Sequence, residues 1–151
     1  MDQVRRALCD RSPSVMIASL NMFSEMIQVH GRERYMDLIS SFVSILKQTI
    51  DHRLPTSYDY HSIPAPWVQI QLLQILRSLA ANDQKASQHI YEVLLQTMKN
   101  ADTGINIGFS IVYECVRTAT AIFPKAEVLQ QSASSIARFI TSDNRNLKCI
   151  G

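Results

Sequence analysis

The chain has 151 residues, 46 % hydrophobic and 19 % charged, enough for one domain that hides roughly 70 % of the surface its unfolded form exposes. Four Gly and five Pro are too few for the many tight turns of an all-β fold, and the mix is too apolar for disorder. The net charge of +2 is spread evenly, with seven basic and six acidic groups in 1–53 and eight and seven in 54–151, so the basic stripe of a strong nucleic-acid binder is missing.

Apolar residues recur at helical spacing through most of the chain. A first helix ends near Asp10. Ser12 as N-cap and Pro13 at the first helical position open a second, with Val15, Ala18, Met22, Phe23, Met26 and Ile27 inward and Gly31 placed to stop it. A third, about 33–51, puts Tyr35, Leu38, Ile39, Phe42, Val43, Leu46 and Ile50 on one face. Residues 52–65 lack an apolar period and hold Pro55 and Pro64, a loop long enough to suggest a purpose. Pro66 restarts a helix to about Ala81 that is apolar nearly all round, Trp67 included, and so predicts cover on most sides.

Asn82 is a good N-cap for a helix about 83–99, with Ala86, Ile90, Val93, Leu94 and Thr97 inward. After a turn at Asn100 to Gly104, a helix about 105–123 buries Ile105, Phe109, Val112, Val116, Ala119 and Phe123. Pro124 opens the last full helix, with Leu129, Ala133, Ile136 and Ile140 on its face. Asp143 to Gly151 starts another. A weak internal repeat chooses a solenoid over a closed bundle. Ala7-Leu8, Pro13, Val15 and Ile17-Ala18-Ser19 align with Phe139-Ile140, Arg145, Leu147 and Cys149-Ile150-Gly151 at an offset of 132 residues, three steps of 44. Helical HEAT and armadillo repeats have periods of about 40–47 residues, and their pairs stack because no pair buries its apolar face alone. The expectation is an all-α, right-handed α-α superhelix: one segment over 1–151 of about three helix pairs, partial repeats at both ends, and Met1 in mid-array as a fragment's start.

Catalytic signals are sparse. His30, His52, His61 and His89 form no HExxH, no i,i+4 pair and no zinc-like group with cysteine. There is no GxSxG, P-loop or GxGxxG; Gly104 and Gly108 suit a turn and a close helix contact. Asp59 and His61 share the loop, either as a hydrolytic or metal pair or as polar residues facing water. Cys9, Cys115 and Cys149, odd in number and far apart, read as buried thiols in a reducing compartment. Met16, Met22 and Met26 are core filler or a plastic groove. Arg5, Arg6, Arg11, Arg32 and Arg34 contact acidic lipid or an acidic partner, or form a mixed surface with Asp10, Glu33 and Asp37. No apolar run approaches the ~20 residues that span a bilayer, and no signal-peptide profile opens the chain, so a cytosolic protein is expected. Trp67, with Tyr60, Pro64 and Pro66 beside it, is the anchor candidate: a partner contact, or a pin holding the loop to the helix.

Residues 58–77, Tyr58-Asp59-Tyr60-His61-Ser62-Ile63-Pro64-Ala65-Pro66-Trp67 followed by Val68-Gln69-Ile70-Gln71-Leu72-Leu73-Gln74-Ile75-Leu76-Arg77, resemble a segment of the large adaptin subunits. There a loop ends in Pro-Ala-Pro-Trp and a Leu- and Gln-rich helix follows. Tyr113-Glu114-Cys115-Val116 and the closing Asn146 to Gly151 match too, and the loop is most similar to the epsilon-adaptins of adaptor protein complex four, with gamma- and alpha-adaptins as relatives. Ser78-Leu79-Ala80-Ala81 departs from the family's frequent Leu-Gly turn. The resemblance implies a stretch of the solenoid trunk of a heterotetrameric vesicle-coat adaptor, non-enzymatic and without cofactor or metal. It implies a small sigma subunit and the second large subunit as partners, with no nucleic acid and no small-molecule substrate. It implies a cytoplasmic complex, peripheral on trans-Golgi network and endosomal membranes and coated vesicles, that sorts cargo in vesicle-mediated protein transport. The alternative is a peptide-binding scaffold of the transport-receptor or phosphatase type, which predicts a ladder of exposed aromatic or Asn side chains that the sequence alone does not display.

Overall fold

The computed structural model describes residues 2–151; Met1, the expected fragment start, lies outside them. Helix α1 covers Asp2–Ala7 and α2 covers Pro13–His30. Pro13 takes the first helical position, yet Ser12 offers no side-chain cap; Asp10 instead accepts the Ser12 N–H at 2.8 Å and shapes the entry turn. Gly31 ends α2 with φ 81°, its N–H donating to the Ile27 carbonyl. The buried face is Met16, Leu20, Phe23 and Ile27, not the expected row through Val15, Ala18 and Met22, all of which are exposed. Both rows have helical spacing and share Phe23 and Ile27. The choice is made by Phe23, whose ring meets Tyr35 and Phe42 edge-on at 6.0 and 5.5 Å.

Residues expected as one helix divide. A 3-10 turn covers Arg32–Leu38 before α3, Ile39–Ile50. Arg32 on that turn donates to the carbonyls of Ala81 (2.5 Å) and Leu79 (3.5 Å), satisfying acceptors at the end of α4, Pro66–Ala80. The helix expected over 83–99 is α5, Gln84–Gln88, then α6, Tyr91–Ala101. Its cap is Asp83, whose carboxylate accepts the Ala86 N–H at 2.9 Å. Asn82, the expected cap, sits at φ 55° and donates its N–H to Ala121.

Helix α7 covers Asn106–Ala121, α8 Ala126–Thr141 and α9 Arg145–Ile150. Gly104 turns the chain at φ 78°, and a Cβ on Gly108 would collide with the Ala101 carbonyl, so α6 and α7 meet there backbone to side. Helix α8 starts after Lys125 rather than at Pro124 and buries Val128, Ser132, Ser135 and Phe139. Leu129, Ala133 and Ile140 face outward and Ile136 is half-buried. The serines invert the expected face because each hydroxyl donates to its own helix (Ser132 to Val128, Ser135 to Gln131), leaving a small, satisfied surface that packs closely against Met98 of α6.

Contacts between elements run in a constant sense. Asn21 of α2 meets Gln71 of α4, 50 residues on, and Ser24 and Gln28 face Gln74 and Ser78, so α2 and α4 lie parallel. Met98 of α6 and Asp102 just past its end meet Ser135 and Arg138 of α8, 37 and 36 residues on, again parallel. Asn106 and Phe109 of α7 face Asn144 and Leu147 at α9. Within a pair the sense reverses: Tyr91, at the start of α6, donates its hydroxyl to the carbonyl of Phe123, just past the end of α7. Helices α2, α4, α7 and α9 therefore form one layer and α3, α6 and α8 the other, with the apolar core between them. This is the HEAT/armadillo-like helical-repeat fold, and the described residues contain no strand, only two isolated bridges.

Candidate functional site

The segment before α4 is the most strained part of the chain. His61, Ser62 and Ala65 hold φ of 49°, 65° and 35°, the left-handed region that costs non-glycine residues about 1–3 kcal/mol each. Ala65 is doubly unusual because a residue before proline is normally extended. Three contacts hold it there. Tyr60 and Ile63 exchange both backbone hydrogen bonds, Gln69 donates to the Pro64 carbonyl at 2.6 Å, and Ile63, Pro64, Ala65 and Pro66 are all buried.

With the prolines pinned inward, the rings go outward. Trp67 is 59 % exposed, so it leaves the covered set expected of it, while the rest of α4 is covered on most sides as expected, with Val68, Leu72, Leu73, Ile75, Leu76 and Leu79 buried. It lies in the first turn of α4, and Tyr60 meets it edge-on at 5.3 Å and leans on His61 at 4.3 Å. Tyr58 ties the loop to α2 through a 2.8 Å hydrogen bond between its hydroxyl and that of Ser14. Of the four anchor candidates, Pro64 and Pro66 thus pin the loop, while Tyr60 and Trp67 present a solvent-facing aromatic pair.

The other sequence candidates disperse. Asp59 faces His52 at 3.9 Å while His61 leans on Tyr60, so the pair imagined for hydrolysis is not assembled. Among the described residues no three His, Cys, Asp or Glu side chains gather as a metal site would require. Arg5 binds Asp37 and the Arg34 carbonyl, holding the Asp37 carboxyl below the usual carboxylate range, and Arg32 caps α4 as described. Met16 is buried, Met26 partly so, and Met22 is exposed. Only Cys115 is a buried thiol; Cys9 and Cys149 are exposed, being placed in the turn after α1 and on the outer side of the short α9. Burial, then the neighbouring Glu114 charge, push the Cys115 thiol far up, which makes it inert. No described helix is long and apolar enough to cross a membrane.

The sequence marks Glu114 only as part of the Tyr113-Glu114-Cys115-Val116 match, and its ion pairs emerge from the structure. Its carboxylate is buried between α4 and α7, with Arg77 at 2.5 Å on one oxygen and Arg117 at 3.4 Å on the other. The Arg at 77 with a Glu 37 residues on was the available signal, at a spacing near the repeat length. The chain as a whole, residues 1–151, matches the model of the adaptin N-terminal region. It belongs to that family.

The chain is 45 % identical over 147 residues to human AP-4 complex subunit epsilon-1, covering 97 % of this chain and 13 % of the relative. It is 44 % identical over 147 residues to the Arabidopsis thaliana AP-4 complex subunit epsilon, covering 97 % and 16 %. The Dictyostelium discoideum AP-1 complex subunit gamma is more distant, 24 % identical over 150 residues, covering 98 % and 17 %. The chain thus spans about a sixth or less of the length of these relatives.

Proposed function

We propose that this adaptin segment is one stretch of the trunk of an adaptor-complex large subunit, offering shaped helical surface to sister subunits and performing no chemistry of its own. The observation that carries the reading is the likeness to epsilon subunits over 97 % of the chain, on a fold whose helices stack in two parallel layers. Such arrays present extended surfaces suited to large partners. On this reading a small sigma subunit and the second large subunit are the contacts, and the assembled complex sorts cargo on the cytosolic face of Golgi or endosomal membranes. The exposed row Leu129, Ala133 and Ile140 on α8 fits a segment of about three helix pairs set within a longer array, because α6 covers α3 and α8 covers α6 in the same way.

Co-expression with the epsilon-type complex's small subunit, followed by affinity capture, tests the proposal. The segment, or a longer trunk containing it, should retain the small subunit. Failure of the longer trunk to do so would refute the reading.

A further inference from the structure

A cavity of about 310 Å³ lies where the 52–65 loop meets the C-terminal ends of α3 and α6. Part of its lining is apolar: Ile50 closes α3, Ile63 and Pro64 come from the loop, and Ala101 closes α6, all four buried. The rest is polar, from Gln69 of α4, Ser62 and His52 of the loop, and Asn100 and Thr103 at the end of α6. The strained backbone surrounds this same space. His52 and Ser62 line it at φ of 57° and 65°, and His61 and Ala65, also at positive φ, adjoin lining residues.

Gln69 sets the polarity. The residue is 2 % exposed, and its Nε2 donates to the Pro64 carbonyl at 2.6 Å. That bond fixes the carboxamide, whose oxygen accepts no hydrogen bond among the described residues. The last turn of α6 adds acceptors. Beyond Ala101 the Thr103 N–H turns back to the Ala101 carbonyl at 2.8 Å, so the carbonyls of Lys99 and Asn100 are matched by no backbone N–H from the residues that follow. Helices α3 and α6, 12 and 11 residues long, run the same way in one layer and bring two negative dipole ends together here, roughly half a charge each. Arg53 and Lys99 belong to the same helix ends but line no part of the cavity. The nearby acids are engaged elsewhere, Asp59 by His52 and Asp102 by Arg138.

We propose that this cavity receives a lysine side chain from a partner protein. Its methylenes lie against Ile50, Ile63 and Pro64, and its ammonium donates to the Gln69 oxygen and the acceptors at the end of α6. An acidic side chain would meet two negative dipole ends, and a purely apolar one would leave the Gln69 oxygen covered and unbonded. Lysine fits better than arginine, because a compact ammonium with three donors suits scattered single acceptors, whereas a planar guanidinium is matched best by a carboxylate, which the lining lacks. The inference goes beyond the trunk reading and does not rest on it, since it concerns one side chain in one cavity and not the sister subunits.

The test is a nuclear magnetic resonance titration of the 15N-labelled 151-residue chain with acetyl-Gly-Lys-Gly-amide, and with the same peptide carrying norleucine or glutamate in place of lysine. The lysine peptide should shift the Gln69 and Asn100 side-chain amides and the Ser62 and Thr103 backbone N–H signals along one saturable curve, with a millimolar dissociation constant. Norleucine and glutamate peptides should bind about tenfold more weakly or not at all. Asn100→Asp, an exposed change that adds a carboxylate at the cavity, should tighten the lysine peptide several-fold, and Asn100→Lys should abolish its binding, both with unchanged circular dichroism spectra. Absence of shifts at those four residues with tens of millimolar lysine peptide overturns the proposal. So does equal binding of the norleucine peptide, or an affinity that neither Asn100 substitution alters; Kd measured for the peptide is independent of whether the small subunit is captured.

Discussion

Arg77→Met tests whether the α4–α7 seam depends on its one buried charge. The Glu114 side chain is 5 % exposed and Arg77 23 %, so the pair sits inside the packing between two parallel helices. Removing Arg77 strands a carboxylate whose remaining partner, Arg117, is half in water and 3.4 Å away. Breaking a buried pair from one side costs about 3–5 kcal/mol, and the residual Arg117 contact places the expected loss near 3 kcal/mol. Glu114→Leu leaves two arginines that can turn toward solvent and should cost about 1 kcal/mol. The double variant Arg77→Met/Glu114→Leu, which leaves no charge stranded, should lie within about 1 kcal/mol of the parent. Urea unfolding followed by far-UV circular dichroism measures all three. A loss below about 1 kcal/mol for Arg77→Met, or a double variant no better than that single one, would refute the claim that the stranded carboxylate is what destabilises.

Trp67→Ala should cost only about 1–2 kcal/mol in the same assay. About two fifths of a side chain worth roughly 200 Å² is covered, and about 25 cal/mol per Å² sets the upper figure of about 2 kcal/mol; a loss above about 3 kcal/mol would mean the ring is packed. Gly108→Ala should destabilise by about 2 kcal/mol despite alanine's better helix propensity, because the new methyl meets the Ala101 carbonyl; thermal melts decide, and a stabilised variant would contradict the close approach. Mass spectrometry after iodoacetamide treatment of the native protein at pH 8 should find Cys9 and Cys149 modified and Cys115 untouched until urea is added, since burial holds that thiol protonated.

Helix existence was legible because apolar spacing, Pro13 and Gly31 act locally. Which face turns inward was not, where a helix carries two overlapping apolar rows: α2 chose Met16–Leu20–Phe23 over Val15–Ala18–Met22 because Phe23 meets rings from a different segment. In α8 the buried row includes Ser132 and Ser135, polar by composition yet satisfied by their own helix, and no hydropathy reading picks serine over isoleucine. The repeat shows the same division. The 132-residue offset did connect equivalent pairs, α1 and α2 with α8 and α9, but the steps are unequal. The 51–65 loop stretches the step from α2 to α4 to 50 residues, against 37 from α6 to α8, so no single period emerges. At the candidate site, the prolines foretold a fixed loop, while the outward turn of Trp67 depends on left-handed backbone at Ala65 that nothing local demands.

Tyr35 exposes the cost of that dependence on distant contacts. Its side chain is wholly buried, its ring meets Phe23 edge-on, and its hydroxyl finds no hydrogen-bond partner among the described residues. A buried hydroxyl without a partner costs about 1–3 kcal/mol, while the ring's packing is shared in full by phenylalanine. Tyr35→Phe should therefore leave stability unchanged or raise it by about 1 kcal/mol, in contrast to Phe23→Tyr, which adds an oxygen to the same packed cluster. A loss above about 1 kcal/mol in Tyr35→Phe would show that the hydroxyl is bonded in solution. In that event the aromatic knot that selects the inward face of α2 would be held by a polar contact as well as by shape, and the account of that register would have to change.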